Sequence, residues 1–353
     1  MLNIFQKAAG HFKENLPFVL YAKPNSTQVI GIFQQNINLY ESTDLSEKGF
    51  VFADFKGSQA IIFPYNESEI LNQKYEVSDN LFHTEELKIS EDGKEAFENL
   101  VQKGIKAIEE QVLEKVVLSR QETLKQKNFS FLEVYQNMLS TYPNAFRYCW
   151  FHPEVGMWFG ATPEQLLKVE NSKFETVALA GTQKYDANSE AVWQQKEKQE
   201  QQFVTDFILG KLAAEAQSLR QTQPFTFQAG NVVHLKTTIN GIFKSDFDLK
   251  KVLKVLHPTP AVCGLPKEVA KDFILKNEGY ERKFYAGFLG ELNGNLLKNE
   301  NKDSNLFVNL RCMEIQQSKI HLYIGCGITK ESNPEKEYFE TANKAMTMKR
   351  ILD

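Results

Sequence analysis

What most constrains this chain is that its strand-like runs arrive in groups, with helical segments between the groups rather than between successive strands. Runs rich in β-branched and aromatic residues read FVLYAK, TQVIGIF, GFVFADF and AIIFP, separated by Asn, Ser and Gly turn signals. Further strands are predicted at 146–152, 156–168, 174–182 and 230–239, then at 283–292, 305–315 and 319–329. A parallel sheet would need a helix after nearly every strand. Strands in runs favour mixed or antiparallel sheets with helices packed outside.

The helical segments are set by spacing and by end signals. A lead-in helix opens the chain. Phe97, Val101, Ile105, Ile108 and Val112 recur at helical intervals and run into the β-branched strand EKVVLSR. Ser130-Phe-Leu-Glu133 is a capping-box signature, with Phe131, Val134, Tyr135 and Met138 as the inward stripe of the helix it starts. A long charged helix is expected near 188–220, two more at about 247–256 and 267–278, and a closing helix from Pro334, where a first-turn proline is well placed.

With 353 residues the chain exceeds one small core, and no Pro/Gly/Ser linker divides it, so two domains or one large layered unit are both open. Its 42% apolar content fills a core and excludes a disordered chain. A net charge of −4, without a Lys/Arg cluster, leaves no footprint for nucleic acid or an anionic membrane. No stretch of about 18 apolar residues occurs, and the first residues lack a secretory signal pattern, so a cytoplasmic protein is expected. Cys149, Cys263, Cys312 and Cys326 are far apart and read as reduced, buried thiols. Neither GxGxxG nor GxxxxGK[ST] is present, which argues against a nucleotide cofactor.

Ionisable groups stand where the local pattern calls for apolar ones. Lys115 opens Lys-Val-Val-Leu-Ser-Arg; it is either a solvated edge residue or a general base enclosed by the valines. Glu164, just beyond a strand-ending proline, is either a turn carboxylate or a general acid facing a base across a pocket. Glu337, Glu340 and Lys344 share one helix face, as a solvated stripe or a ligand-facing one. Glu200 on the long helix is either a solvated glutamate or, with these carboxylates, part of an oxygen set suited to a hard cation such as Mg²⁺. Arg311 interrupts an apolar strand, and burial there demands a carboxylate partner or an anionic ligand. Glycines in Ile-Gly-Cys-Gly-Ile-Thr allow close backbone approach to an anion, and His234 in Val-Val-His-Leu-Lys-Thr reads as a core histidine before a catalytic one.

In order along the chain, EKVVLSR (114–120), FGATPEQLL (159–167), ALAGT (178–182), the Glu200 helix, VVHLKTTI (232–239), LHPTPAVCGLPKE (256–268), RKFYAGFLGEL (282–292), VNLRCMEI (308–315), YIGCGIT (323–329) and EKEYFETANK (335–344) resemble the chorismate-binding enzyme family. Within it they resemble the isochorismate synthase branch. The resemblance implies an α/β (α+β) fold of two facing, mostly antiparallel sheets flanked by helices. Residues 89–353 would be the catalytic core, and 1–88 a variable N-terminal part packed on the same unit.

It also implies roles. Lys115 would activate a water for attack on C2 of chorismate, and Glu164 would protonate the departing C4 hydroxyl. Glu200 and Glu340 would bind Mg²⁺, with Glu337 close by. Gly181, Thr182, His234, Tyr285, Arg311, Gly325, Gly327 and Lys344 would surround the substrate, Arg311 taking the enolpyruvyl carboxylate. Ala180 stands where covalent aminodeoxychorismate synthases carry a lysine, and Leu179 resembles the water-using branch, so no glutaminase subunit is expected. The product would serve menaquinone or siderophore biosynthesis. Salicylate synthase and anthranilate synthase component I are the alternatives, with a noncatalytic chorismate-binding subunit more remote. Two departures from the family are Gln201, where His is frequent, and a short stretch between ALAGT and Glu200.

Overall fold

The computed structural model describes residues 3–76, 90–125, 129–186, 189–229, 232–296, 300–301 and 303–352. Helix α1 (Ile4–Lys13), capped by Asn3, leads into β1 (Phe18–Ala22), β2 (Gln28–Gln34), β3 (Gly49–Ala53), β4 (Ala60–Pro64) and β5 (Ser68–Lys74). Helix α2 (Lys94–Glu109) precedes β6 (Lys115–Lys125), and Ser130 caps α3 (Phe131–Thr141) as its signature predicts. Then come β7 (Phe146–His152), β8 (Gly156–Thr162), β9 (Gln165–Glu170) and β10 (Lys173–Lys184). Helix α4 (Gln195–Leu212) is followed by β11 (Ala216–Gln221), β12 (Phe225–Ala229) and β13 (Val232–Phe243). Helices α5 (Leu249–Leu256) and α6 (Lys267–Asn277) flank β14 (Gly264–Leu265). The rest is β15 (Phe288–Leu292), a ribbon of β16 (Gly294–Asn295) and β17 (Glu300–Asn301), β18 (Ser304–Val308), β19 (Cys312–Gln316), β20 (Lys319–Ile328) and α7 (Pro334–Lys349).

Two antiparallel sheets result. One runs β14-β6-β20-β19-β8-β7-β1-β2-β5, the other β11-β13-β10-β9-β18-β15-β3-β4, with β12 also on β13. They face each other through aromatic side chains: Phe52 of one sheet lies 5.0 Å from Trp150 and 5.9 Å from Trp158 of the other. The largest apolar cluster fills this interface and continues under α2 and α4 to α6. A second cluster covers the outer face of the first sheet, beneath α1, α3 and the end of α7. The first 74 residues supply strands to both sheets.

The expected strands at 156–168 and 305–315 are each two strands in different sheets. The chain leaves β8 in the first sheet at Thr162-Pro163-Glu164 and enters β9 in the second. It returns from β18 to β19 through Asn309-Leu310-Arg311. The two crossings are bonded to each other: Val308 N donates to Glu164 O at 2.9 Å, and Ala161 N to Arg311 O at 3.0 Å. Other expectations need trimming. The long helix ends at Leu212 and gives way to β11, and residues 282–287 form a turn before β15, with Lys283 and Ala286 at positive φ. The polar edge strand β5 carries no alternation to predict it.

Candidate active site

A cavity of about 80 Å³ opens where the crossings meet β6, β10, β20, α4 and α7. Glu164, Gly181, Glu200, His234, Tyr285 and Arg311 line it. So do Gly325, Gly327, Glu340 and Lys344. Lys115 reaches the same space through Glu200, its Nζ lying 3.0 Å from Glu200 Oε1 with the lysine fully buried. Thus Lys115 is no solvated edge residue. Glu337 is buried on α7 and does not line the cavity. Thr182 lies on β10, its side chain outside the described residues.

Each position follows from local backbone. Pro163 ends β8 and leaves Glu164 at the crossing, 4% exposed, with its N–H donating to Thr162 Oγ1 at 3.3 Å. Burial pushes the Glu164 carboxyl up to about 8, against the pull of Lys115, Arg311 and Lys344, so it holds its proton at neutral pH. Arg311 sits at φ 48°, a left-handed conformation that a bulky residue rarely adopts, and the return crossing holds it there. Among the described residues no carboxylate lies within ion-pair reach of its guanidinium, although Glu340 and Glu164 act on it from further away.

On the other wall, β10 shifts register between Ala180 and Gln183, and Gly181 takes φ 69° in that bulge. His234 Nδ1 lies 2.8 Å from Gly181 O and therefore donates to it. Burial, helped by Arg311, holds His234 down to about 3, so the ring is neutral. Lys344 Nζ bonds Glu340 Oε1 at 2.7 Å and Gly325 O at 3.1 Å. A Cβ on Gly327 would stand 2.2 Å from Glu200 Oε1, so glycine there is what lets that carboxylate reach the cavity.

The helical spacing of Glu337 and Glu340 does not bring all three glutamates together: among the described residues no group of three His, Cys, Asp or Glu side chains could jointly hold a metal. The pair Glu200 and Glu340, each countered by a lysine, remains an all-oxygen set that suits a hard, water-retaining cation. Gln201 takes a structural place. Its Nε2 donates to Thr237 Oγ1 at 2.6 Å and Thr205 Oγ1 at 2.9 Å, fastening α4 to β13. Ala261 and Val262 add to Val117 an apolar wall that no polar residue signals; they lie inside LHPTPAVCGLPKE, as Val117 lies inside EKVVLSR.

The family model described as "Chorismate binding enzyme" matches residues 56–353. The chain belongs to the chorismate-binding enzyme family. Among curated members, the isochorismate synthase MenF of Escherichia coli is 29% identical over 73% of this chain and 60% of its own length. Anthranilate synthase component 1 of Saccharolobus solfataricus is 26% identical over 73% and 62%. Matched stretches cover 60%, 42% and 51% of the first curated relatives, so the chain spans roughly half of their length. DhbC of Bacillus anthracis, a provisionally assigned 2,3-dihydroxybenzoate-specific isochorismate synthase, superposes with a TM-score of 0.82 at 22% identity, covering 99% of both chains. That likeness establishes the fold of a chorismate-binding enzyme for the described residues.

Proposed function

We propose that this chorismate-binding enzyme is an isochorismate synthase, exchanging the C4 hydroxyl of chorismate for a hydroxyl at C2. The observation that carries the reading is one cavity lined by a carboxyl that burial pushes up to about 8, by Arg311, and by Glu200 with the buried Lys115 paired behind it. Lys115, in its neutral amine form once Glu200 is engaged elsewhere, would take a proton from the attacking water, and Glu164 would give one to the departing hydroxyl as the ring double bonds shift. Arg311 takes the enolpyruvyl carboxylate, with Lys344, Tyr285 and the neutral His234 around the ring. Thr182, Gly181, Gly325 and Gly327 complete the substrate enclosure. Glu200 and Glu340 would hold Mg²⁺, with Glu337 behind them. The metal would supply charge to meet the ring carboxylate of a dianion that two glutamates alone repel.

Water rather than a wall lysine as nucleophile is favoured by Leu179 and Ala180, which line the cavity and offer no amine. The similar match to anthranilate synthase component 1 keeps that activity as the second reading. Among the described residues no helix is long and apolar enough to cross a membrane. The product would enter menaquinone biosynthesis, as with MenF, or a siderophore route. Incubating the purified protein with chorismate and Mg²⁺ tests all of this. Isochorismate supports the reading, pyruvate with salicylate redirects it to a salicylate synthase, and anthranilate formed only with ammonia sinks it.

A further inference from the structure

Strand β6, which carries Lys115 and the cavity-lining Val117, stands next to the end of its sheet. Its outer neighbour β14 is two residues long and pairs only with Lys115 and Val116. Val117 N adds one more bond, to Cys263 O at 2.7 Å. Past that point the outer edge of β6 would present bare backbone groups inside the protein, which is costly.

Two side chains cover that edge. Arg282 Nη2 donates to Val117 O at 2.7 Å, and Glu278 Oε1 accepts from Ser119 N at 2.7 Å. A donor facing the carbonyl and an acceptor facing the N–H are what another strand would offer there. The two are joined to each other, Arg282 Nε to Glu278 Oε2 at 2.8 Å, and their side chains are 2% and 1% exposed. Arg282 Nη1 also reaches Val262 O at 2.9 Å, and its guanidinium stands 5.6 Å from the centre of the Tyr285 ring. On the inner edge of β6, Val117 faces Gly327 and Ser119 faces Gly325. The charged pair therefore lies directly behind the rungs that form the cavity floor.

We propose that Glu278 and Arg282 are positioning residues, a side-chain substitute for a missing strand that holds Val117, Val262 and Tyr285, and with them Lys115, in working register. The inference rests on the reading of this cavity as the site of chorismate conversion. Arg282→Lys keeps the charge but lacks the fork needed to reach Val117, Val262 and Glu278 together. Glu278→Gln keeps the shape and loses the charge. Each is expected to lower kcat for chorismate at least tenfold with KM within threefold, because the wall moves and the substrate's anion contacts do not. Amide hydrogen exchange at Ser119 should be slow in the wild-type protein and accelerate at least tenfold in both variants.

A folded variant with kcat within twofold of wild type overturns the proposal, as does a fall in melting temperature without any change in kcat or in exchange. Should neither variant fold, the wild-type protein still decides: a Ser119 amide exchanging as fast as the outer amides of edge strand β5 refutes the substitute strand. Wild-type protein that leaves chorismate unchanged while Ser119 stays protected would instead remove the functional reading and leave the strand substitute standing.

Discussion

Lys115 Nζ and Glu200 Oε1 stand 3.0 Å apart, joining the first residue of β6 to the second turn of α4. The lysine is fully buried, so nothing but chemistry or this pair explains a charged residue there. Lys115→Ala is expected to reduce kcat/KM for chorismate by at least about a hundredfold, the usual range for loss of a general base, with an unchanged circular dichroism spectrum. Retained turnover would show that another group activates the water.

In the proposed mechanism Glu164 sets the alkaline limit. Its carboxyl is pushed up to about 8 by burial, so the acid form is lost, and kcat/KM should fall, as pH rises through about 8. Stability has the same sign. The folded state binds a proton that the unfolded chain releases near the ordinary glutamate value, so stability declines with rising pH from about 4.5 to about 8. Glu164→Gln should abolish that decline, lose turnover, and stabilise the protein at pH 7 by roughly 3 kcal/mol, at about 1.4 kcal/mol per pH unit of that window. Chemical denaturation of both proteins at pH 5 and pH 8 measures it.

Arg311 has no carboxylate partner among the described residues, so its replacement strands none. Arg311→Lys should raise KM for chorismate by about ten- to a hundredfold, since a point charge cannot reproduce a bidentate clamp, and should change the melting temperature little. Steady-state kinetics beside a thermal melt separates the two effects.

Metal removal should stop turnover without loosening the fold. Glu200 and Glu340 are already countered by Lys115 and Lys344, so the metal-free protein carries no uncompensated carboxylate pair. EDTA is expected to abolish isochorismate formation, with melting unchanged and activity restored by Mg²⁺. A metal-independent product would remove Glu200 and Glu340 from their assigned role.

Gly327→Ala places a methyl 2.2 Å from Glu200 Oε1 and 3.3 Å from Lys115 Cε. The flexible glutamate end must move. We expect a tenfold or greater loss of kcat and a weaker Mg²⁺ requirement curve, read from initial rates against Mg²⁺ concentration.

Much of the site was legible because its residues lie in short blocks where one polar group breaks an apolar pattern, as at Lys115 and Arg311. Assembly was not, since it depends on where strands change sheets. Pro163 marks the first change in the sequence. The second, at Asn309-Leu310-Arg311, has neither Gly nor Pro; it is held by Tyr148 donating to Asn309 Oδ1 at 2.6 Å and Asn309 Nδ2 donating to Phe284 O at 2.9 Å, contacts with distant segments. Helical spacing likewise puts Glu337 on the face of Glu340, whereas Glu337 is buried and does not line the cavity.

The paired crossings have a consequence for how such a site diversifies. The crossings that carry Glu164 and Arg311 are tied through two main-chain hydrogen bonds, so the gap between the proposed proton donor and the proposed anion anchor is a fixed gauge that no side-chain exchange resets. Leu179 and Ala180 belong to β10, outside that gauge. On the proposed roles, a change of nucleophile could be written into the β10 wall alone, with the grip on the substrate carried over intact.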